Sequence, residues 1–303
     1  MFSPAARLTI LPRMTPPVGN TPIRRPFGPL PDLVPVVGQG TWIMGDAKNR
    51  GTEVATLRAG IAAGATHIDT AELYGNAEDL VGEAIKGLRR EDLFIVSKVL
   101  PSNASAKGTI RACETALRRI GTSYLDVYLL HWRGSYPLEE TFGAMERLIE
   151  QGKIRALGVS NFNVADLEEA ESALGSGRIA CNQVLYHLEE RHIDGGLIDY
   201  CGKRNIAVVA YSPFGHGQFP RAASPEGRVL AEVAARVGAT PRQVALAFLS
   251  RKAPLFTIPK ASSVAHAQDN AGALTLKLAP ADIQALDAAF PATPGEDDEL
   301  PML

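Results

Sequence analysis

The stretch LDVYLLHWRGSYPLEETFGAMERLIEQGKIRALGVS, residues 125–160, decides how the chain is built. LDVYLLH (125–131) and IRALGVS (154–160) are short apolar runs rich in β-branched and aromatic side chains, as strands buried on both faces are. Between them Leu138, Phe142, Met145 and Leu148/Ile149 recur at helical spacing, with Glu139, Glu140 and Arg147 opposite. Gly152 stands where that helix should stop. Strand, helix and strand in that order make two parallel strands joined by a right-handed crossover.

The same unit repeats in both directions. VVGQG (36–40), THIDT (66–70), LFIVSKV (93–99), CNQVLYH (181–187), AVVAYSP (207–213) and LFTIP (255–259) bring the apolar runs to eight, with amphipathic segments between them. The run ends at 40, 69, 98, 131, 160, 186 and 212 are 26–33 residues apart. That count and rhythm predict a closed (β/α)8 TIM barrel rather than an open sheet. An open dinucleotide-binding sheet would want G-x-G-x-x-G after an early strand, and GQGTWI (38–43) and GHGQFP (215–220) both lack the third glycine. The longer last interval has room for an extra helix after strand 7, at 224–236. Ser224-Pro225 and Thr240-Pro241-Arg242-Gln243 read as helix starts, the second with a glutamine placed to close a capping box. Gly64 and Gly238 read as helix stops.

Residues 1–31 hold eight of the 21 prolines. Each proline removes a backbone donor, so residues 1–26 are expected to form an irregular arm. A hairpin is expected from Phe27, turning at Pro31-Asp32 and returning through Val34–Val37. No linker interrupts 36–290, so 27–303 is read as one domain.

The 303 residues are 46% hydrophobic and 21% charged, with a formal net charge of -2. No basic excess points to nucleic acid, and no apolar run is long enough to span a membrane. Cys113, Cys181 and Cys201 form neither a disulfide framework nor a C-x-x-C pair. Reduced thiols, a small buried role for Cys181, a cytoplasmic location and a monomer by default are the expectations; no metal site is expected.

Chemistry in a parallel barrel sits at the C-terminal ends of its strands. Asp69 ends strand 2 with Tyr74 just beyond it, Lys98 ends strand 3, and His131 ends strand 4. Ser160 and Asn161 end strand 5, Gln183 lies on strand 6, and Tyr211 ends strand 7. Each alone is an ordinary rim residue. Together, Asp69, Tyr74, Lys98 and His131 can deliver a proton to a carbonyl oxygen. A neighbouring ammonium lowers a phenol's pKa, so Lys98 is expected to lower that of Tyr74 while Asp69 keeps Lys98 charged. His131 can orient the oxygen. A glycosidase pair of Asp69 with Glu72 or Glu78 is the weaker alternative, because all three follow one strand.

HIDTAELYGNAEDLVGEAI (67–85), IVSKV (95–99), LDVYLLHW (125–132), GKIRALGVSNF (152–162), NQVLYH (182–187), VVAYSPFG (208–215) and IPKASSVAHAQDN (258–270) together resemble the aldo-keto reductase superfamily, in particular small bacterial members that reduce methylglyoxal and other short aldehydes. The similarity runs from about Leu33 to Phe290. It implies the barrel, NADPH-dependent reduction of aldehydes and ketones to alcohols, and a catalytic tetrad of Tyr74 as general acid, Lys98 and Asp69 tuning it, and His131. It also implies an extended NADP(H). Ser160, Asn161 and Gln183 would hold the carboxamide beside Asp69, and Tyr211 would stack on the nicotinamide. Thr41 and Trp42 would approach the cofactor, and Ser212, Pro213, Phe214 and Gly215 would line the pyrophosphate path. Ile258, Lys260, Ser262, Ser263, His266, Gln268 and Asn270 would surround the adenosine 2′-phosphate and adenine. Trp42, Tyr74, His131 and Trp132 would line the substrate pocket.

The family commonly has arginine where this chain has His266. Histidine carries only part of a charge near neutrality, which leaves NAD(H) as a weaker alternative cofactor. The family also includes channel-associated subunits that bind NADP(H), so a binding role is a second functional class beside the enzyme. The short loops RGSYP (133–137) and FGHGQFP (214–220) suggest a shallow pocket for small or aromatic aldehydes.

Overall fold

The computed structural model describes residues 21–292 and 300–303. Most of the proline-rich arm expected over residues 1–26 lies outside the described residues, and its end, Arg24–Pro26, is not irregular but part of a strand.

An antiparallel hairpin comes first, β1 (Arg24–Phe27) against β2 (Leu30–Pro35). Its turn is at Gly28-Pro29, not at Pro31-Asp32, and so comes earlier than expected. The cause is Gly28. Its φ of 57° suits a residue without Cβ, and a Cβ there would lie 2.2 Å from the Ala180 carbonyl oxygen. Only glycine lets the hairpin approach the barrel that closely. Pro31 and Asp32 instead lie within β2.

Eight parallel strands follow, β3 (Gln39–Gly40), β4 (His67–Asp69), β5 (Phe94–Val99), β6 (Leu125–Leu130), β7 (Ile154–Ser160), β8 (Ile179–Leu185), β9 (Ala207–Tyr211) and β10 (Leu255–Thr257). They pair in sequence order, and a parallel bridge between Val37 and Thr257 joins the last strand to the start of the first. The crossovers are α1 (Arg50–Ala62), α2 (Ala77–Ile85), α3 (Ala106–Ile120), α4 (Leu138–Glu150), α5 (Val164–Leu174), α6 (Leu197–Lys203), α7 (Pro225–Val237) and α8 (Pro241–Leu249). Two helices follow β10, α9 (Val264–Gly272) and α10 (Pro280–Ala289). The fold is therefore the expected (β/α)8 barrel with an N-terminal hairpin and an extra helix, α7, after the seventh barrel strand. Ser224 caps α7 through the Gly227 amide, and Thr240 and Gln243 complete the capping box of α8.

Alternation along the strands places the interior. Side chains two residues apart share a face, so His67 and Asp69, Phe94, Val96 and Lys98, Val127, Leu129 and His131, and Cys181 and Gln183 fall into interior rows. The lower layers of these rows are apolar, and Phe27 of the hairpin closes them from below. Its ring centroid is 4.8 Å from that of Phe94, 4.9 Å from Phe256 and 5.6 Å from His67. Arg155 holds the hairpin in place, with Nη2 2.6 Å from Asp32 Oδ2 and Nη1 2.8 Å from the buried Asp126 Oδ1. The upper ends of the same rows carry the polar residues.

Candidate active site

Lys98 is the centre of the polar layer. It is fully buried, and its ammonium has three acceptors. Nζ donates to Asp69 Oδ1 at 2.6 Å, to the Thr70 carbonyl at 3.0 Å and to Tyr74 Oη at 3.4 Å. Burial works against its charge, but Asp69 and Tyr74 outweigh it and hold the Lys98 pKa above the ordinary lysine value. Asp69 is fixed from all sides. Oδ2 accepts from Gln183 Nε2 at 2.8 Å, and its carbonyl accepts from Thr41 Oγ1 at 2.9 Å.

Tyr74 ends a 3-10 turn, Glu72–Tyr74, just beyond β4. Burial raises its pKa and outweighs the downward pull of Lys98. The expected lowering is thus corrected in its net direction. The ammonium does act as anticipated, but removal of the phenol from water is the larger effect. The hydroxyl stays protonated over the neutral range.

His131 completes the group, with its ring edge-on to Tyr74 at 5.8 Å between centroids. Burial, then Lys98, lowers its pKa from 6.5 to about 3, so the imidazole is neutral. Nδ1 is buried without a hydrogen-bond partner among the described residues, which leaves Nε2 as the nitrogen able to meet a ligand.

A cavity of about 280 Å³ opens above these groups. Thr41, Trp42, Asp69, Tyr74, His131, Trp132, Ser160, Asn161, Gln183, Tyr211, Ser212, Ile258 and Lys260 of the expected set line it. One chain of hydrogen bonds orders its far wall. Tyr211 Oη donates to Asn161 Oδ1 at 3.0 Å, Asn161 Nδ2 donates to the His131 carbonyl at 3.1 Å, and Ser160 Oγ donates to the Gln183 carbonyl at 2.8 Å. Asn161 and Ser212 take left-handed backbone, φ 59° and 49°, at the tops of β7 and β9. Such strain on non-glycine residues gathers where a site dictates the chain path.

The remaining expected residues lie apart from this cavity. Pro213, Phe214 and Gly215 follow β9. Ser262 and Ser263 precede α9, whose N-terminal amides Ser263 caps through His266 N at 3.2 Å. Ser262 Oγ is also 3.1 Å from His266 Nδ1. Gln268 and Asn270 lie on α9 itself. Gly40, Leu73, Met302 and Leu303 line the cavity without having been anticipated. Leu73 could have been found as the neighbour of Tyr74. Nothing in the sequence pattern places Met302 and Leu303 there.

Glu72 and Glu78 turn away from Asp69. Glu72 accepts from Leu100 N and Asn103 Nδ2, and Glu78 from Ser97 Oγ at 2.7 Å and Arg119 Nη1 at 3.4 Å. Neither makes a carboxylate pair with Asp69. Cys113, Cys181 and Cys201 are free and buried, and burial pushes their thiols up, that of Cys113 to about 12. Among the described residues no three His, Cys, Asp or Glu side chains gather as metal ligands, and no helix is long and apolar enough to cross a membrane.

Residues 36–290 match the Aldo/keto reductase family. Methylglyoxal reductase YeaE of Escherichia coli (strain K12) is 49% identical over 266 residues, 87% of this chain and 93% of that protein. Glyoxal reductase of Bacillus subtilis (strain 168) is 37% identical over 244 residues, 79% of this chain and 83% of that one. An aldo-keto reductase from Klebsiella pneumoniae, solved in complex with NADPH, superposes with a TM-score of 0.86 at 42% identity, covering 93% of this chain and 100% of that structure.

Proposed function

The chain belongs to the aldo/keto reductase family, and from that premise we propose that it reduces small or aromatic aldehydes, methylglyoxal among them, to alcohols with NADPH, Tyr74 supplying the proton. The observation that carries the reading is the buried Asp69–Lys98–Tyr74 chain beside a neutral His131 at the floor of one cavity.

The donor set suits a nicotinamide cofactor. Asn161 and Gln183 bring amide groups to the cavity wall, and the Tyr211 ring offers a flat face. Lys260 leads from the cavity toward the capped N-terminus of α9, where Ser262, Ser263 and His266 gather, and helix N-termini favour phosphate. Bound there, the cofactor would supply hydride. The residues of the chain do the rest. His131 Nε2 donates a hydrogen bond that orients the carbonyl oxygen, and Tyr74 Oη gives that oxygen a proton. Lys98 stabilises the phenolate left behind, and Asp69 keeps Lys98 in place and charged. NAD(H) stays open as the weaker alternative, because His266 lacks the forked guanidinium of arginine.

Methylglyoxal and glyoxal reductases among the relatives support a small carbonyl substrate. The rim is apolar, with Trp42, Leu73, Trp132, Met302 and Leu303 around the cavity, which suits uncharged short-chain or aromatic aldehydes over polyhydroxylated sugars. A single domain over 27–303, a monomeric state and a cytoplasmic location complete the reading. NADPH oxidation with methylglyoxal, a nitrobenzaldehyde and a sugar aldehyde, run for the parent and Tyr74→Phe, tests it. Turnover of the first two, lost in the variant, is expected. NADPH binding without turnover of any carbonyl would overturn it in favour of a binding protein.

A further inference from the structure

Tyr74 stands on neither a strand nor a regular helix. It closes a three-residue 3-10 turn whose own backbone contributes one bond, Tyr74 N to the Ala71 carbonyl at 3.0 Å. Gly75 follows with a φ of 61°, and Leu73 beside it is exposed. A turn this short has little internal stiffness. Lys98, by contrast, lies near the C-terminal end of β5, within the hydrogen-bonded barrel wall. The 3.4 Å between Lys98 Nζ and Tyr74 Oη therefore depends on how this short turn is tied to the strand.

Glu72 makes that tie. It opens the turn, two residues before Tyr74, and its carboxylate crosses to the segment that leaves β5. Oε2 accepts from Leu100 N at 2.9 Å, and Oε1 accepts from Asn103 Nδ2. Leu100 is two residues beyond Lys98, and Asn103 ends the next 3-10 turn, Pro101–Asn103. Both oxygens are used, and both donors belong to the chain that carries Lys98. We propose that Glu72 is a positioning residue, a clamp between the turn bearing Tyr74 and the strand end bearing Lys98 that sets the separation of phenol and ammonium. The proposal rests on the reading of Tyr74 as proton donor.

The donor pattern supplies its own test. Glu72→Gln leaves one acceptor and turns an NH2 toward a donor, and Asn103→Asp sets two carboxylates against each other. In the double variant the amide at 72 donates to the new carboxylate while its carbonyl accepts from Leu100 N, so the clamp is rebuilt with its polarity reversed. Three readouts are taken: kcat and KM for NADPH-dependent aldehyde reduction, the melting temperature, and the Cζ resonance of Tyr74 in isotope-labelled protein, identified by its loss in Tyr74→Phe. Each single variant is expected to lower kcat about tenfold with KM within about twofold, because misplacing a catalytic group falls on the chemical step. Each should also displace the Tyr74 resonance. The double variant is expected to restore both. Single variants that keep the parental kcat while Tyr74→Phe abolishes it would overturn the clamp, and so would a fall in kcat with the resonance unmoved or a double variant that restores neither. Should Tyr74→Phe itself keep the rate, it is the proton-donor reading that fails, and the resonance alone still decides whether Glu72 holds Tyr74.

Discussion

Lys98 Nζ and Asp69 Oδ1 meet at 2.6 Å with both side chains shut off from solvent, so neither charge has water to fall back on. Removing one partner of such a pair strands the other and costs about 3–5 kcal/mol. Asp69→Asn should therefore lower stability by that order. Asp69→Asn combined with Lys98→Met should be more stable than Asp69→Asn alone, although equally inactive. Urea unfolding of the three proteins measures the difference, and a double variant less stable than the single one would contradict it.

Tyr74→Phe removes the proposed proton and little else. General acid catalysis contributes about 10²–10⁴ in rate, so kcat should fall by that range while NADPH affinity, read by fluorescence quenching, is unchanged. Lys98→Met should also lower kcat, since the phenolate that the proposed proton transfer leaves on Tyr74 loses its counter-charge.

The pH profile of aldehyde reduction follows from two opposite shifts. As the proposed acid Tyr74 needs its proton, and its pKa lies above the ordinary tyrosine value, so the rate should hold until the pH rises past that range. His131 must be neutral to leave the tyrosine as the acid, and its pKa of about 3 keeps it so far below the usual histidine value. Reduction by saturating NADPH should thus show no inflection near 6.5 and stay level across neutral pH. A histidine-like inflection near 6.5 that persists in His131→Gln would assign it elsewhere; one that vanishes there would contradict the neutral imidazole.

His67 makes a prediction about stability. It is fully buried among Phe27 and Phe94, and neither ring nitrogen has a partner among the described residues. Burial, then Lys98, lowers its pKa from 6.5 to about 3. A depressed pKa means that the unfolded state takes up the proton first. Stability is complete above 6.5 and is lost as the pH falls from there toward 3, by on the order of 5 kcal/mol over the whole window. In His67→Leu the loss should be smaller by a measurable part of that amount. Denaturant titrations at a series of pH values from 7.5 to 4.5 compare the two proteins, and parallel curves would remove His67 from the account.

At the far end of the proposed cofactor path, His266→Arg should raise the ratio of NADPH to NADH efficiency several-fold, because arginine is always charged and its guanidinium matches a phosphate. Its measure is kcat/KM with each cofactor. An unchanged ratio would mean that residue 266 does not face the phosphate.

Much of this architecture can be read from residue order because two simple periods govern it. A spacing of two along each strand sends Asp69, Lys98, His131 and Gln183 to one interior layer. The strand-helix alternation then puts that layer at the mouth. The hairpin turn was harder to see. Pro31-Asp32 has turn chemistry, but the contact that decides the matter is between Gly28 and Ala180, about 150 positions apart, and no local pattern records it. The same applies to Met302 and Leu303, which line the cavity among residues far from them in sequence, and to Glu72, whose partners Leu100 and Asn103 lie on another loop. The pKa of Tyr74 depends on how far the phenol is withdrawn from water, which its neighbours in sequence do not state.

Below the polar layer the barrel is filled by Phe94, Val96, Val127 and Leu129, with Phe27 of the hairpin beneath them, and that has a consequence for traffic. The vessel is open at one end only. Whatever reaches the floor beside Lys98 has to come in over the rim and go back over it, and a molecule deeper in the well cannot leave past one lodged above it. If a long cofactor and a small aldehyde share that opening, the last to arrive is the first to go. The order of turnover would then be written by the packed apolar layers beneath the chemistry.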